Sequence, residues 1–116
     1  MKNRSNIKIL LLGVFPMLVA ISAFAEEPID ADAAVKVARS ESCLRCHGIS
    51  KKKEGPSYKI IAAFYKSNPD AVDVIYEHIT TGPKVKLTDG HAEKHKAILD
   101  KSPEQIKNLV RWILSQ

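Results

Sequence analysis

The chain has 116 residues and a formal net charge of +5, with 18 lysines and arginines against 13 acidic residues. Three of the basic residues (Lys2, Arg4 and Lys8) and none of the acidic ones precede residue 26, so residues 26–116 carry 15 basic against 13 acidic groups, or +2. This near balance removes the main support for a nucleic-acid-binding protein. A domain this small often needs a disulfide, a metal or a large cofactor for stability.

The N-terminus has the pattern of a secretory signal peptide. A basic segment precedes an apolar run from Ile9 to Ile21, and Ala23-Phe24-Ala25 follows as an A-x-A cleavage sequence. We therefore predict removal of residues 1–25 and export of a soluble periplasmic domain, residues 26–116, without a membrane span. The alternative is an uncleaved anchor, because the apolar stretch is close to the length of about 20 residues that a membrane span needs.

The sequence of the mature chain predicts four helices and no convincing strand. We therefore expect an all-α fold. Apolar residues recur at helical spacing over Ala31–Ser42, over Tyr58–Lys66, from Asn68-Pro69 to just before Gly82, and after Ser102. The last helix is the clearest, because its first residues fit a capping box followed by an apolar face. The loop before it, residues 82–101, is long for so small a domain, and such loops are usually functional or disordered.

Both cysteines of the chain lie in the sequence CLRCH at residues 43–47. A thioredoxin-like dithiol would need a β-α-β context, and the sequence has no alternating strand pattern. A zinc site could add His91 and His95, but the 44 residues between Cys46 and His91 far exceed the spacing of a compact zinc module. Neither interpretation fits the rest of the chain.

Haem attachment makes three demands, and this sequence meets all of them. It needs an exported chain, two thiols that can add to the two vinyl groups of haem, and an adjacent imidazole that can bind the iron. The motif therefore predicts one covalently bound haem c, attached through Cys43 and Cys46, with His47 as an axial iron ligand.

The mature chain resembles the class I monohaem cytochromes c over essentially its whole length. The resemblance rests on a helix that leads into CLRCH, then GPSYKIIAAFY at 55–65, a third helix, a long loop and SPEQIKNLVRWIL at 102–114. It implies a small cytochrome c fold of about four helices around the haem, with Trp112 in the core. It also implies that the carbonyl of Pro56 accepts the Nδ1 proton of His47 and so orients the ring. The alternative is that Pro56 is only a turn residue.

The sequence departs from most members of that family on the other side of the iron, where they have a methionine. The only methionines here, Met1 and Met17, lie in the predicted signal peptide. A histidine or a loop lysine therefore supplies the sixth ligand, or the position is open. Register within the resemblance favours His95 first and His91 second, whereas His78 lies on the third helix, which would have to move inward.

We expect a protein that transfers electrons and has no catalytic residues, because no nucleophile is accompanied by a base and an orienting group. A second imidazole in place of a thioether predicts a low midpoint potential. Lysines could surround the exposed haem edge and attract an acidic redox partner, or they could only keep the surface soluble; they lie at positions 51–53, 84, 86, 94 and 96. Two other functions stay open: a haem-based sensor of small ligands, and a haem subunit of a larger oxidoreductase.

Overall fold

The computed structural model of the protein describes residues 26–116, and the predicted signal peptide lies outside the described residues. The described part contains five helices and one short sheet: α1 (Ala31–Ser40), α2 (Cys43–Cys46), α3 (Tyr58–Tyr65), α4 (Ala71–Thr81), β1 (Lys84–Lys86), β2 (Ala92–Lys94) and α5 (Pro103–Leu114). None of these helices is long and apolar enough to cross a membrane. The prediction of a small, mainly helical fold is confirmed.

The first helix ends two residues before the predicted end at Ser42, and a separate short helix follows after a sharp turn. Helix α1 ends at Ser40, and Ser42 has a φ of 60°, a left-handed conformation that a helix cannot contain. Residues Cys43–Cys46 then form the separate helix α2. The two cysteines therefore lie on their own helical turn and not at the end of α1.

Capping residues fix the ends of the two helices that cross in the core. Asp30 caps α1, because its side chain accepts a hydrogen bond from the amide of Ala33 at 2.9 Å. The predicted capping box of α5 is confirmed, since the backbone amide of each of Ser102 and Gln105 donates to the side chain of the other. Helix α4 starts at Ala71, two residues later than its proline suggested.

The prediction that the chain has no strand is wrong in the long loop. Strands β1 and β2 pair antiparallel, with Lys84 opposite Lys94, and their side chains are exposed apart from the half-buried Val85. Lys84-Val85-Lys86 alternates polar and apolar side chains, but each strand has only three residues and β2 is exposed throughout, so the pattern is too short to predict a strand. The hairpin orders the loop that follows α4.

The core lies where α1 and α3 pack against α5. Ala34 and Ala38 are completely buried on α1, and their small side chains let the two helices approach closely. Trp112 is buried on the facing side of α5 and meets the ring of Tyr58 edge to face, with ring centres 5.6 Å apart. This packing leaves α2 and the 82–101 loop on the same side of the molecule as Tyr58.

Candidate functional site

The turn that carries the two thiols also sets the position of the neighbouring imidazole. Helix α2 ends at Cys46, and His47 follows in an extended conformation while its amide donates to the carbonyl of Cys43 at 3.0 Å. Both thiols are free and partly exposed. The two thiols and the imidazole therefore project from one short segment of backbone, as attachment to a planar group would require.

The thiols are not activated in the way that a redox dithiol needs. Burial raises the pKa of Cys43, and the nearby carboxylate of Glu41 raises it further. The pKa of Cys46 is also raised, by loss of solvent contact and by its 3.3 Å hydrogen bond to Glu54. Reactive disulfide oxidoreductases lower the pKa of a cysteine, so these directions oppose the thioredoxin-like interpretation.

The ring of His47 is held on three sides. Its Nδ1 lies 2.7 Å from the carbonyl oxygen of Pro56, and because a carbonyl can only accept, Nδ1 donates and Nε2 keeps a free lone pair. Tyr58 stacks on the ring, with centres 5.6 Å apart and planes 16° apart. At Gly55 a Cβ atom would lie 2.7 Å from Cε1 of His47, so only glycine fits there. Burial lowers the pKa of His47, which keeps the ring neutral and able to bind a metal.

Three of the four histidines come together, and His95 is at their centre. The ring centres of His47 and His95 are 6.1 Å apart with planes at 45°, and those of His78 and His95 are 4.8 Å apart with planes at 68°. Burial lowers the pKa of His78, followed by the effect of His95. The sequence ranks His78 behind His95 and His91 as a candidate ligand, because α4 would have to move inward. His78 follows the buried Ala71 and Ile75 along α4 at steps of four and then three positions, so the helical period places it on their inward face.

His91 lies apart from this cluster and faces acidic residues. Its Nδ1 is 2.6 Å from a carboxylate oxygen of Asp89, and its Nε2 is 3.6 Å from Glu93. The hydrogen bond and charge of Asp89 raise the pKa of His91, so protonation is favoured. Both ring nitrogens of His91, the second candidate for the sixth ligand, therefore face carboxylates.

The backbone around His95 is fixed by contacts with α4 and the hairpin. The amide of His95 donates to the carbonyl of Pro83 at 2.8 Å, and Nδ1 of its ring lies 2.9 Å from the carbonyl oxygen of Lys96. Gly82 ends α4 with a φ of 63°, and a Cβ atom there would overlap the carbonyl oxygen of His95. As in His47, the hydrogen bond at Nδ1 leaves Nε2 free to bind a metal.

The spacing of these rings fits a metal ion between two imidazoles. With metal–nitrogen bonds of about 2.0 Å and ring centres about 1.1 Å beyond each nitrogen, two imidazoles on opposite sides of one metal ion have centres about 6 Å apart. His47 and His95 are separated by 6.1 Å. The hydroxyl of Tyr58 is buried beside Cys43 without a hydrogen bond of good geometry, so an unused donor faces this region. The residues present therefore fit a haem iron with its attachment points.

Comparison with known proteins gives consistent matches. The family model described as cytochrome c matches residues 31–116. Cytochrome c-551 of Pseudomonas denitrificans is 31% identical over 77 residues, covering 66% of this chain and 89% of that protein. Cytochrome c-552 of Hydrogenobacter thermophilus is 30% identical over 90 residues, covering 69% of this chain and 78% of that protein. The crystal structure of the Class 1 cytochrome MtoD from Sideroxydans lithotrophicus ES-1 has 50% identity and a TM-score of 0.75, covering 76% of this chain and 97% of that one.

Proposed function

The chain belongs to the cytochrome c family and is an electron-transfer protein with one covalently bound haem c, and we propose that His47 and His95 are its two axial iron ligands. The haem supplies a one-electron change between ferrous and ferric iron. The protein's part is to hold the haem, exclude water and set the midpoint potential. The 6.1 Å separation of the two imidazoles is the single observation that carries the proposal.

The attachment side consists of Cys43, Cys46 and His47. Each thiol would add to one vinyl group of the haem to give a thioether, and the imidazole would bind the iron through Nε2. The hydrogen bond from Nδ1 to Pro56 supports this assignment, because it fixes the tautomer and makes the imidazole a stronger donor.

The opposite side is assigned to His95 because the alternatives have other partners or lack support. His91 pairs with Asp89 and Glu93, and the described part of the chain, residues 26–116, contains no methionine. His78 contacts His95, and its place on α4 makes it the neighbour of the ligand. Two imidazoles stabilise ferric iron more than an imidazole and a thioether do, so the proposed potential is low for this family.

The partners we propose are redox proteins with an acidic docking surface. Lys52 and Lys86 line one hollow together with Pro56, which accepts the hydrogen bond of the haem ligand His47. Lys84 and Lys94 face each other across the hairpin, where the two like charges concentrate positive charge at some cost in stability. Lys96 is different, since it pairs with Glu41 within the protein. Export to the periplasm remains part of the proposal and rests on the N-terminal sequence.

The proposal can be tested on protein exported from a cell that attaches haem. The intact mass should equal residues 26–116 plus one haem, and Cys43→Ala should leave a single thioether bond. Potentiometry then compares the wild type with His95→Met: exchanging imidazole for thioether should raise the midpoint potential. Thr88→Met, an exposed change in the same loop, is the control. A mass without haem, or equal potentials for wild type and His95→Met, would contradict the proposal.

A further inference from the structure

Glu41 is a buried carboxylate that lies two residues before Cys43. Its side chain is only 8% exposed, and its two oxygens each lie 3.0 Å from a lysine, Oε2 from Lys96 and Oε1 from Lys101. The ammonium of Lys96 also donates to the backbone carbonyl of Glu41 at 3.0 Å. We call these three residues the Glu41 cluster.

The burial of Glu41 makes this cluster different from an ordinary surface ion pair. Exposed pairs contribute little because water and salt screen them. A buried carboxylate, by contrast, needs its partners, because an uncompensated charge in the interior is strongly unfavourable. Lys101 is itself 19% exposed, whereas Lys96 is 58% exposed, so Lys101 is the inner partner and Lys96 the outer one.

The cluster joins two segments that are far apart in the sequence. Glu41 lies two residues before Cys43, and Lys96 directly follows His95, a separation of 55 residues between the bonded partners. Lys101 precedes the cap of α5. The cluster therefore connects the segment that attaches the haem to the loop that carries the proposed sixth ligand.

Lys96 contacts both the imidazole of His95 and the carboxylate of Glu41. Its carbonyl accepts the hydrogen bond of His95 Nδ1, while its side chain reaches Glu41. A backbone movement that takes His95 away from the site would also displace Lys96, whose ammonium contacts the buried carboxylate. The Glu41 cluster therefore holds the residue to which the ring of His95 is hydrogen-bonded.

We propose that Glu41 is a positioning residue for the sixth ligand: by holding Lys96 and Lys101 it slows the departure of His95 from the iron. This inference rests on the proposed function. The Glu41 cluster contains no iron ligand. Even so, it would control how readily an added molecule can reach the iron. The backbone contacts of His95 with Pro83 keep the loop near the site, and the Glu41 cluster keeps it closed.

The test measures how fast cyanide replaces the native ligand in the ferric haem protein, since cyanide must wait for His95 to leave. Glu41→Gln removes the charge but keeps the shape, and it should accelerate replacement about tenfold or more. Lys101→Met and Lys96→Met should each accelerate it less. Lys59→Met is the matched control, because Lys59 is an exposed lysine on α3 and is not among the lysines proposed for docking. It should behave as the wild type does.

Two further measurements separate positioning from general stability. Added salt should accelerate cyanide binding to the wild type, through the exposed Lys96 pair, and should have less effect on Glu41→Gln. Guanidinium unfolding of each haem protein records global stability. The inference is overturned if Glu41→Gln loses stability while its cyanide rate stays within twofold of that of Lys59→Met.

The outcome also distinguishes this inference from the proposed function beneath it. If the wild-type ferric spectrum is not that of a bis-imidazole haem, the proposed ligand set is wrong. If that spectrum is present and the variants of the Glu41 cluster leave the cyanide rate unchanged, only the inference is wrong. Should Glu41→Gln fail to fold, the lysine variants and the salt dependence decide the question.

Discussion

The two sides of the proposed haem site are built in different ways. Around His47 the contacts are local: its ring bonds to Pro56, nine residues away, and packs beside Gly55 and Tyr58. Around His95 they are distant in sequence, because the loop is held by α4, by the hairpin and by a lysine that reaches Glu41 across 55 residues. The attachment side is therefore fixed by a short motif, and the opposite side depends on the folded structure.

Two glycines, one on each side, sharpen this comparison. Gly82→Ala should have the largest effect, because the residue needs a positive φ and a Cβ would overlap the backbone of His95. We expect a loss of about 2–4 kcal/mol in the free energy of unfolding, from left-handed strain and overpacking together. Cyanide binding should also become faster. Denaturant unfolding and cyanide kinetics of the haem protein check both; unchanged cyanide kinetics would contradict a role for Gly82 in placing His95.

Gly55→Ala is the corresponding change on the attachment side. The new Cβ would press on the ring of His47, 2.7 Å from Cε1, and the expected loss of unfolding free energy is about 1–3 kcal/mol. Cyanide kinetics should stay near those of the wild type, because the loop of His95 is untouched. If Gly55→Ala accelerates cyanide binding as much as Gly82→Ala does, the two sides are not independent.

These contrasts also explain what the sequence could predict. The attachment residues and Pro56 lie within 14 positions of one another, so the motif and the family resemblance were enough to propose their roles. The capping box of α5 depends on Ser102 and Gln105 alone, and it was predicted correctly. Local patterns carry this information because the interactions themselves are local.

Contacts between residues far apart in the sequence could not be predicted from local patterns. The strands of the hairpin have only three residues each, the place of His78 depends on how α4 packs, and the partners of Glu41 come from the other end of the domain. Sequence register favoured His95, and the structure places it beside His47, but its role as ligand stays a prediction. The same is true of the signal peptide, which lies outside the described residues.

His78 offers a smaller effect on the opposite side. Replacing it by phenylalanine puts an apolar ring beside His95 in place of a polar one, and an apolar environment disfavours the charge of ferric iron. His78→Phe should keep the haem six-coordinate and raise the midpoint potential by less than about 59 mV, a tenfold change for a one-electron couple. Phe64→Leu on the exposed face of α3 is the control. A high-spin spectrum for His78→Phe would instead make His78 the ligand.

The smallest effect is expected at His91. Asp89 raises its pKa, so its folded-state pairing is present below the unfolded value near 6.5 and is lost as the pH rises through the higher folded value. A proton NMR titration should find the His91 pKa above that of a free histidine, and Asp89→Asn should lower it. His91→Ala should leave the absorption spectrum and midpoint potential unchanged. A changed absorption spectrum would indicate that His91 is an iron ligand.

The central claim is that His95 binds the iron opposite His47, and electron paramagnetic resonance with near-infrared magnetic circular dichroism of the ferric protein tests it most directly. The wild type and His78→Ala should both give the signals of a low-spin bis-imidazole haem. The His78→Ala/His95→Ala double variant should lose those signals, because the nearby substitute for His95 is also removed. A double variant that keeps the bis-imidazole signals, or a wild type with imidazole–amine signals, would contradict the claim.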